Sequence, residues 1–179
     1  NVYICPESSS YNDIRLYKAT TFPKKWKLKK KIIQNINAVD SIIFYKDKYW
    51  WIITSINLNV SSSYQNYMMI FYSKNLFSQN WYEHSMNPIL CGNGNARNAG
   101  FLVNNKDVFR ISQKIKNNFY GALINVNKIT KLNKDTFKEN NLIQFDKNLK
   151  FFKKNYLIGI HHLNKLNNSY VFDAYQKNN

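Results

Sequence analysis

Two carboxylates and two arginines are the residues whose types and placement could do chemistry. Asp40 stands just ahead of an apolar strand, Ser41–Tyr45, where a side chain can leave a sheet and face a pocket. Glu7 ends the opening strand, NVYICPES. Glycosyl chemistry needs such a pair, one carboxyl protonated as acid and the other ionised as base or nucleophile, about 5–9.5 Å apart. In that scheme Glu7 is the acid and Asp40 the base or orienting group. The plainer alternative is that each caps a turn or pairs with a nearby lysine.

Of 26 basic residues only Arg15, Arg97 and Arg110 are arginine. In a chain that otherwise uses lysine, an arginine suggests a demand for planar, bidentate recognition of carboxylate or phosphate. Arg97 and Arg110 are therefore expected to line a pocket with Gln113 and His161 and to hold a sugar, a sugar acid or a phosphate. The alternative is a structural ion pair, for example Arg110 with Asp107. His161 and His162 are adjacent, so on a regular strand they point to opposite faces and at most one faces a pocket. No third ligand stands near them, so no metal site is expected, and no cofactor motif is present. His84 is expected on the surface. Cys5 and Cys91 have no metal spacing and are expected as small buried hydrophobes, a disulfide between them being possible in principle.

The elements that would position these groups are strands. Ala38–Thr54, AVDSIIFYKDKYWWIIT, is a β-hairpin with strands Ser41–Tyr45 and Tyr49–Ile53 and a polar turn at Lys46-Asp47-Lys48. Strands are expected at Asn1–Ser8, Ile14–Ala19, Lys27–Ile33 and Tyr67–Ser73, with Ser61–Gln65 a polar loop. Tyr17, Phe22 and Trp26 recur as Tyr72, Phe77 and Trp81, each displaced by 55 residues (72 − 17, 77 − 22, 81 − 26). Such recurrence, at a spacing close to that of four-stranded repeats, is the mark of propeller blades. The repeat assigns Trp26 and Trp81 to blade packing; of Trp50 and Trp51, one is core. A further copy starts at Ala99–Ser112 and continues through Tyr120–Ile129 and Asp135–Phe145. A last hairpin joins Tyr156–His161 to Tyr170–Ala174. Residues 1–36 then form a blade without its inner strand, 37–93 and 94–146 full blades, and 147–179 half a blade. The fold class expected is all-β, a partial five-bladed β-propeller of four-stranded antiparallel blades. Thirteen strands do not close such a ring, and open edges are avoided, so strands ahead of Asn1 are expected.

Composition agrees with a β protein: 13 Tyr, 12 Phe and 4 Trp among 179 residues, at 44% hydrophobic content. No apolar run is long enough for a transmembrane segment and no signal peptide is visible; the localisation expected is cytoplasmic or membrane-peripheral. The net charge of +16 invites nucleic acid, but lysine rather than arginine carries it, and direct base readout favours arginine. The Lys/Asn/Ile bias is what AT-rich coding would produce. Lysine runs at Lys24–Lys31 and Lys147–Lys154 are read as solvated faces, although anionic lipid headgroups would suit the charge equally well.

The ordered set YICPESSS, IRLYKATTFPKKW, VDSIIFYKDKYWWIIT, ARNAG, FRISQ, FYGALINVNKIT and IGIHHLN resembles one family over nearly the whole chain. It is the five-bladed propeller domain of glucosamine inositolphosphorylceramide transferases, also found beside sugar formyltransferase modules and related to arabinanase, levansucrase and invertase propellers. The resemblance implies site residues at Glu7 (after Pro6), Asp40, Arg97 (with Asn98 in place of proline), Arg110 and Gln113 (with Ile111 in place of proline), Tyr120 with Gly121, and His161. It also implies an Asp-Gly pair, here Asp173-Ala174, and a further carboxylate from a first blade with no counterpart here. By the same resemblance, the expected function is a glycosyl hydrolase- or glycosyltransferase-type domain acting on or binding a sugar, glycan or nucleotide-sugar in glycan or glycolipid assembly. A neighbouring transferase domain in the parent chain is its expected partner. The alternatives are a non-catalytic glycan-binding module and a basic binder of nucleic acid or anionic surfaces.

Overall fold

The computed structural model describes residues 1–60, 63–92, 94–116, 119–146, 157–166 and 168–176. These residues form antiparallel β-sheets with no α-helix, and no helix is long and apolar enough to cross a membrane. The chain divides into two compact units, Asn1–Leu90 and Cys91–Asn179.

In the first unit, β1 (Tyr3–Ile4), a 3-10 turn at Ser9–Tyr11, β2 (Asp13–Thr21) and β3 (Lys25–Gln34) build a three-stranded sheet in the order β1-β2-β3. A second sheet follows the order β4 (Ala38–Lys46), β5 (Tyr49–Val60), β6 (Ser63–Ser73), β7 (Tyr82–Glu83), and β8 (Leu90–Cys91) also pairs with β6. The β4–β5 turn has Asp47 and Lys48 at φ 50° and 68°. Two left-handed residues between strands make a type I′ turn, whose twist matches that of the flanking strands. Ile14, Leu16, Ile32, Ile36, Ala38, Ile52, Phe71 and Leu76 form the core, with Trp50 and Trp81 packed against it. Trp51 is the fully buried member of its pair and donates its indole N–H to the Lys46 carbonyl at 3.0 Å.

The second unit holds a four-stranded sheet, β9 (Arg97–Asn104), β10 (Asp107–Lys116), β11 (Phe119–Leu132) and β12 (Phe137–Asp146), in the order β12-β11-β10-β9. It packs on a hairpin, β13 (Leu157–Leu166) and β14 (Ser169–Gln176), through Ala99, Ile111, Ile124, Val126 and Ile160. Gly100 is at φ 110°, and a Cβ there would run into the Leu163 carbonyl. The missing side chain is therefore what lets β9 lie against β13.

Several expected features differ. The opening strand is only Tyr3–Ile4, because Pro6 and the Ser9–Tyr11 turn end it. The loop expected at 61–65 is shorter: β6 begins at Ser63, which pairs with Val60, so β5 and β6 run far beyond their apolar parts through Asn57, Asn59 and Gln65. His84 is buried, not exposed; its Nδ1 accepts the Met86 N–H at 3.1 Å and its backbone N–H bonds the Ile70 carbonyl. The cysteines are both free; Cys91 is exposed, and Cys5 is half-buried, its thiol pushed up to about 11 by burial. The lysine run 147–154 lies outside the described residues.

Candidate functional site

One irregularity recurs in the first strand of three hairpins. On β4, Asp40 and Ser41 together oppose Thr54; on β9, Ala99 and Gly100 oppose Ile111; on β13, His161 is an extra residue between the Ile160–Ala174 and His162–Asp173 pairs. Each is a β-bulge, which re-aims side chains that a regular strand would place on one face or the other. Ser41, Ala99 and His161 are each five residues ahead of the last residue of their strand (46 − 41, 104 − 99, 166 − 161). A bulge thus lies near the same place in each of the three strands, and two of them carry expected site residues, Asp40 and His161.

In the first unit, Asp40 is half-buried and left-handed at φ 51°. Holding a non-glycine residue there costs on the order of 1 kcal/mol, and such strain collects at functional positions. Its neighbours fix the bulge: Thr54 Oγ1 donates to the Val39 carbonyl at 3.1 Å and lies 2.8 Å from Ser41 Oγ. Glu7 is exposed between β1 and the 3-10 turn, where its carboxylate accepts from Ser9 Oγ at 3.4 Å. A buried ion pair of this unit is built on a third carboxylate. Asp13 is buried and receives Arg15 Nε at 2.6 Å and Nη2 at 3.1 Å, with Lys31 Nζ at 3.5 Å. The hydrogen bond from Arg15 holds its carboxyl below the usual range against the opposing effect of burial.

In the second unit the expected residues fall on opposite faces of the β9–β12 sheet. Arg97 and Gln113 are direct cross-strand partners, on the side facing β13 and β14, and Gln113 is buried with its amide donating to the Asn98 carbonyl at 3.1 Å. Arg110 belongs to the other face and is fully buried. Its Nε and Nη2 grip the two carboxylate oxygens of Glu139 at 2.9 and 2.5 Å, Nη1 reaches Asn98 Oδ1 at 3.2 Å, and Nη2 also reaches the Asn95 carbonyl at 3.0 Å. The fork expected to hold a ligand's carboxylate or phosphate holds one of the chain's own. Asp107, the partner considered from sequence, instead pairs with Lys128 at 2.7 Å.

Around this ion pair the face is a polar ladder. Asn127 Nδ2 donates to Ser112 Oγ at 3.0 Å, Asn141 Nδ2 to Asn127 Oδ1 at 3.1 Å, and Asn125 Nδ2 to Asn95 Oδ1 at 3.3 Å, while Ser112 Oγ bonds Asn95 Oδ1. Asn98, Arg110, Ser112 and Asn127 have no exposed surface. Glu139, Asn95, Asn125 and Asn127 escaped the sequence reading. Their signal was there as polar residues two apart on consecutive strands, Arg110/Ser112, Asn125/Asn127 and Glu139/Asn141. In sheets that alternation usually means a solvated face.

His161 Nδ1 lies 2.9 Å from Asp173 Oδ2, with about 29% and 57% of the two side chains exposed. A carboxylate only accepts, so Nδ1 carries the proton of the neutral imidazole and Nε2 its lone pair. His162 is held elsewhere, by Asn164 at 2.7 Å. Tyr175 meets His161 edge-on at 6.3 Å. A Cβ at Gly121, which is at φ 68°, would come within 2.8 Å of the Tyr175 ring, so the glycine of the Tyr120-Gly121 pair makes room for that ring. The Tyr120 side chain lies outside the described residues. The first unit offers an exposed carboxyl (Glu7) and a strained carboxylate (Asp40); the second, by itself, offers a histidine oriented by its own acid.

The family model described as glucosamine inositolphosphorylceramide transferase 1, N-terminal, matches residues 1–170. Among curated proteins, the glucosamine inositolphosphorylceramide transferase 1 of Arabidopsis thaliana is 34% identical over 142 residues, covering 77% of this chain and 18% of the relative. The enzyme of the same name from Oryza sativa subsp. japonica is 32% identical over 141 residues, again 77% of this chain and 18% of the relative. The chain thus spans less than a fifth of the relatives' length. No solved structure gives a significant match. With 170 of its 179 residues inside the family model, the chain belongs to the family of glucosamine inositolphosphorylceramide transferase 1 N-terminal regions.

Proposed function

We propose that the chain is a carbohydrate-binding domain of a glycolipid-assembling glycosyltransferase, its sheets arranged as blades of a five-bladed propeller with the sugar held in the axial pocket. The observation that carries this reading is the bulge found in the first strand of three hairpins, which carries Asp40 in one and His161 in another. Backbone irregularity that recurs, where it costs stability, points to side chains aimed at a common task. Family membership supports the substrate class. The relatives are named for a transferase acting with glucosamine and inositolphosphorylceramide, and the matching region is named as their N-terminal part. A sugar, glycan or nucleotide-sugar is the ligand, and a transferase domain elsewhere in the parent chain is the partner it serves. Arg97, cross-strand from Gln113, adds a guanidinium donor. Arg110 contributes from behind, by fixing Asn98 between them.

A second reading, catalysis on the bound sugar, has Asp40 in its favour. Asp40 is a half-buried carboxylate held in a left-handed conformation, a strained position of the kind that collects at functional sites. The two readings part on substitution. Calorimetric titration with glucosamine, inositol phosphate and a uridine diphosphate sugar should give saturable binding that Asp40→Asn and His161→Ala each weaken about tenfold, the weight of one good polar contact to a ligand. Glu7→Gln should leave binding intact under the first reading and abolish turnover under the second. No saturable binding to any sugar or glycan, by a protein whose circular dichroism shows it folded, would sink both.

A further inference from the structure

We propose that the β2–β3 hairpin is a membrane-docking element that inserts Phe22 into an anionic lipid bilayer and holds the headgroups with its lysines. Between Asp13 and Asp40 the chain has no acidic residue, but eight basic ones, Arg15, Lys18, Lys24, Lys25, Lys27, Lys29, Lys30 and Lys31. Arg15 and Lys31 are engaged by Asp13. Lys24, Lys25, Lys27 and Lys29 are exposed around the hairpin end. At the tip, Phe22 is 65% exposed. Trp26 stands edge-on to it at 6.1 Å and donates its indole N–H to the Pro23 carbonyl at 2.9 Å. The tip is therefore an aromatic wedge whose indole N–H is already bonded, so burying that ring in lipid strands no indole donor.

The repeat supplies the comparison. The equivalent residues of the next sheet, Phe77 and Trp81, are linked by Ser78-Gln79-Asn80, where the tip has Pro23-Lys24-Lys25. Trp81 packs against the core, and Phe77, 37% exposed against 65% for Phe22, meets Tyr3 at a tilt with ring centroids 5.6 Å apart. The same aromatic pair serves packing in one copy and is displayed among lysines in the other. Behind the tip the sheet face continues apolar. Ile4, Tyr17 and Leu28 form one cross-strand row, Ala19 and Trp26 the next, with Ile4 and Leu28 exposed at 38% and 40%. Interleaved lysines and exposed apolar groups fit a bilayer, which offers headgroup charge above and hydrocarbon below. A nucleic acid would use the charge and leave Phe22 idle.

The test is co-sedimentation of the chain with vesicles of phosphatidylcholine alone and of equal parts phosphatidylcholine and phosphatidylserine. Binding to the anionic vesicles only is expected. Lys24→Glu/Lys25→Glu/Lys27→Glu should weaken it more than a hundredfold, each lysine near the surface being worth roughly fivefold. Phe22→Ser should weaken it roughly tenfold. Phe22→Trp should keep binding and give a blue-shifted emission quenched by brominated lipid. A matched charge reversal on exposed lysines of the other unit, Lys131→Glu/Lys134→Glu/Lys138→Glu, should change affinity far less. The proposal is overturned by equal binding to both vesicles or to neither, by equal losses in the two triple variants, or by no effect of Phe22→Ser. Tighter, Phe22-independent binding to a single-stranded oligonucleotide through the same lysines would also overturn it.

Discussion

Arg110→Lys separates a ligand-gripping arginine from a structural one. In the structure Arg110 donates four hydrogen bonds, two to Glu139, one to Asn98 and one to the Asn95 carbonyl, from a position with no exposed surface. A lysine retains the charge, but one ammonium cannot span both carboxylate oxygens and also reach two asparagines. Losing one or two charge-assisted bonds in a buried site predicts a loss of about 2–4 kcal/mol. Arg110→Ala leaves the Glu139 carboxylate, only 9% exposed, without its cation and should cost about 3–5 kcal/mol. Arg110→Met with Glu139→Leu removes both charges, so the double variant should recover much of the loss, and the cycle should show strong coupling. Against a typical domain stability of about 5–15 kcal/mol, either single change moves the urea midpoint visibly by circular dichroism. Sugar affinity measured on the still-folded Arg110→Lys protein should change little. The reverse pattern, an unmoved midpoint with lost sugar binding, would refute the assignment of this arginine to the sheet.

Asp40→Gly should stabilise the first unit by up to about 1 kcal/mol, since glycine accepts the left-handed conformation freely, while sugar binding is lost; denaturation and titration on one sample check both. Gly100→Ala should destabilise by about 2–4 kcal/mol or prevent folding, because the added Cβ meets the backbone carbonyl of Leu163 rather than a movable side chain, and thermal melting reads it. Asp13 has a folded pKa below its unfolded value of about 3.9, so its contribution is present above that pH and is lost as pH falls through the lower folded value. The stability gap between the native chain and Asp13→Asn should therefore be constant near neutrality and close below about pH 4. An undiminished gap in acid would refute the ion-pair account.

What the sequence made legible was local. The Lys46–Tyr49 turn follows from two charged residues between apolar runs, and one of Trp50 and Trp51 had to be core. The constant displacement of Tyr17, Phe22 and Trp26 to Tyr72, Phe77 and Trp81 is equally plain in the sequence. The bulges were invisible, because an extra residue changes no composition and leaves the apolar pattern of Ile42–Phe44 untouched. Glu139 was missed for a different reason. It lies 29 residues from Arg110 and enters the site only because β11 stands between β10 and β12. Rarity of arginine suggested a bidentate grip on a ligand's carboxylate or phosphate, but gave no hint that the carboxylate on Arg110 would be Glu139.

The departures from the family pattern at residues 98 and 111 acquire a physical sense from that ladder. Proline at 98 offers no side-chain acceptor, whereas the amide of Asn98 takes the Nη1 hydrogen of Arg110 while its carbonyl takes that of Gln113. One residue thereby ties together the two faces of the sheet, the buried ion pair on one side and the Arg97–Gln113 row on the other. Ile111, in place of the second proline, fills the core against Ile160, which a proline ring would do less fully. The exchange substitutes a hydrogen-bonded amide and a larger apolar side chain for two rigid rings. Rigidity that proline would have built into the backbone comes instead from bonds between strands, with Arg110 and Gln113 holding Asn98 from opposite faces of the sheet.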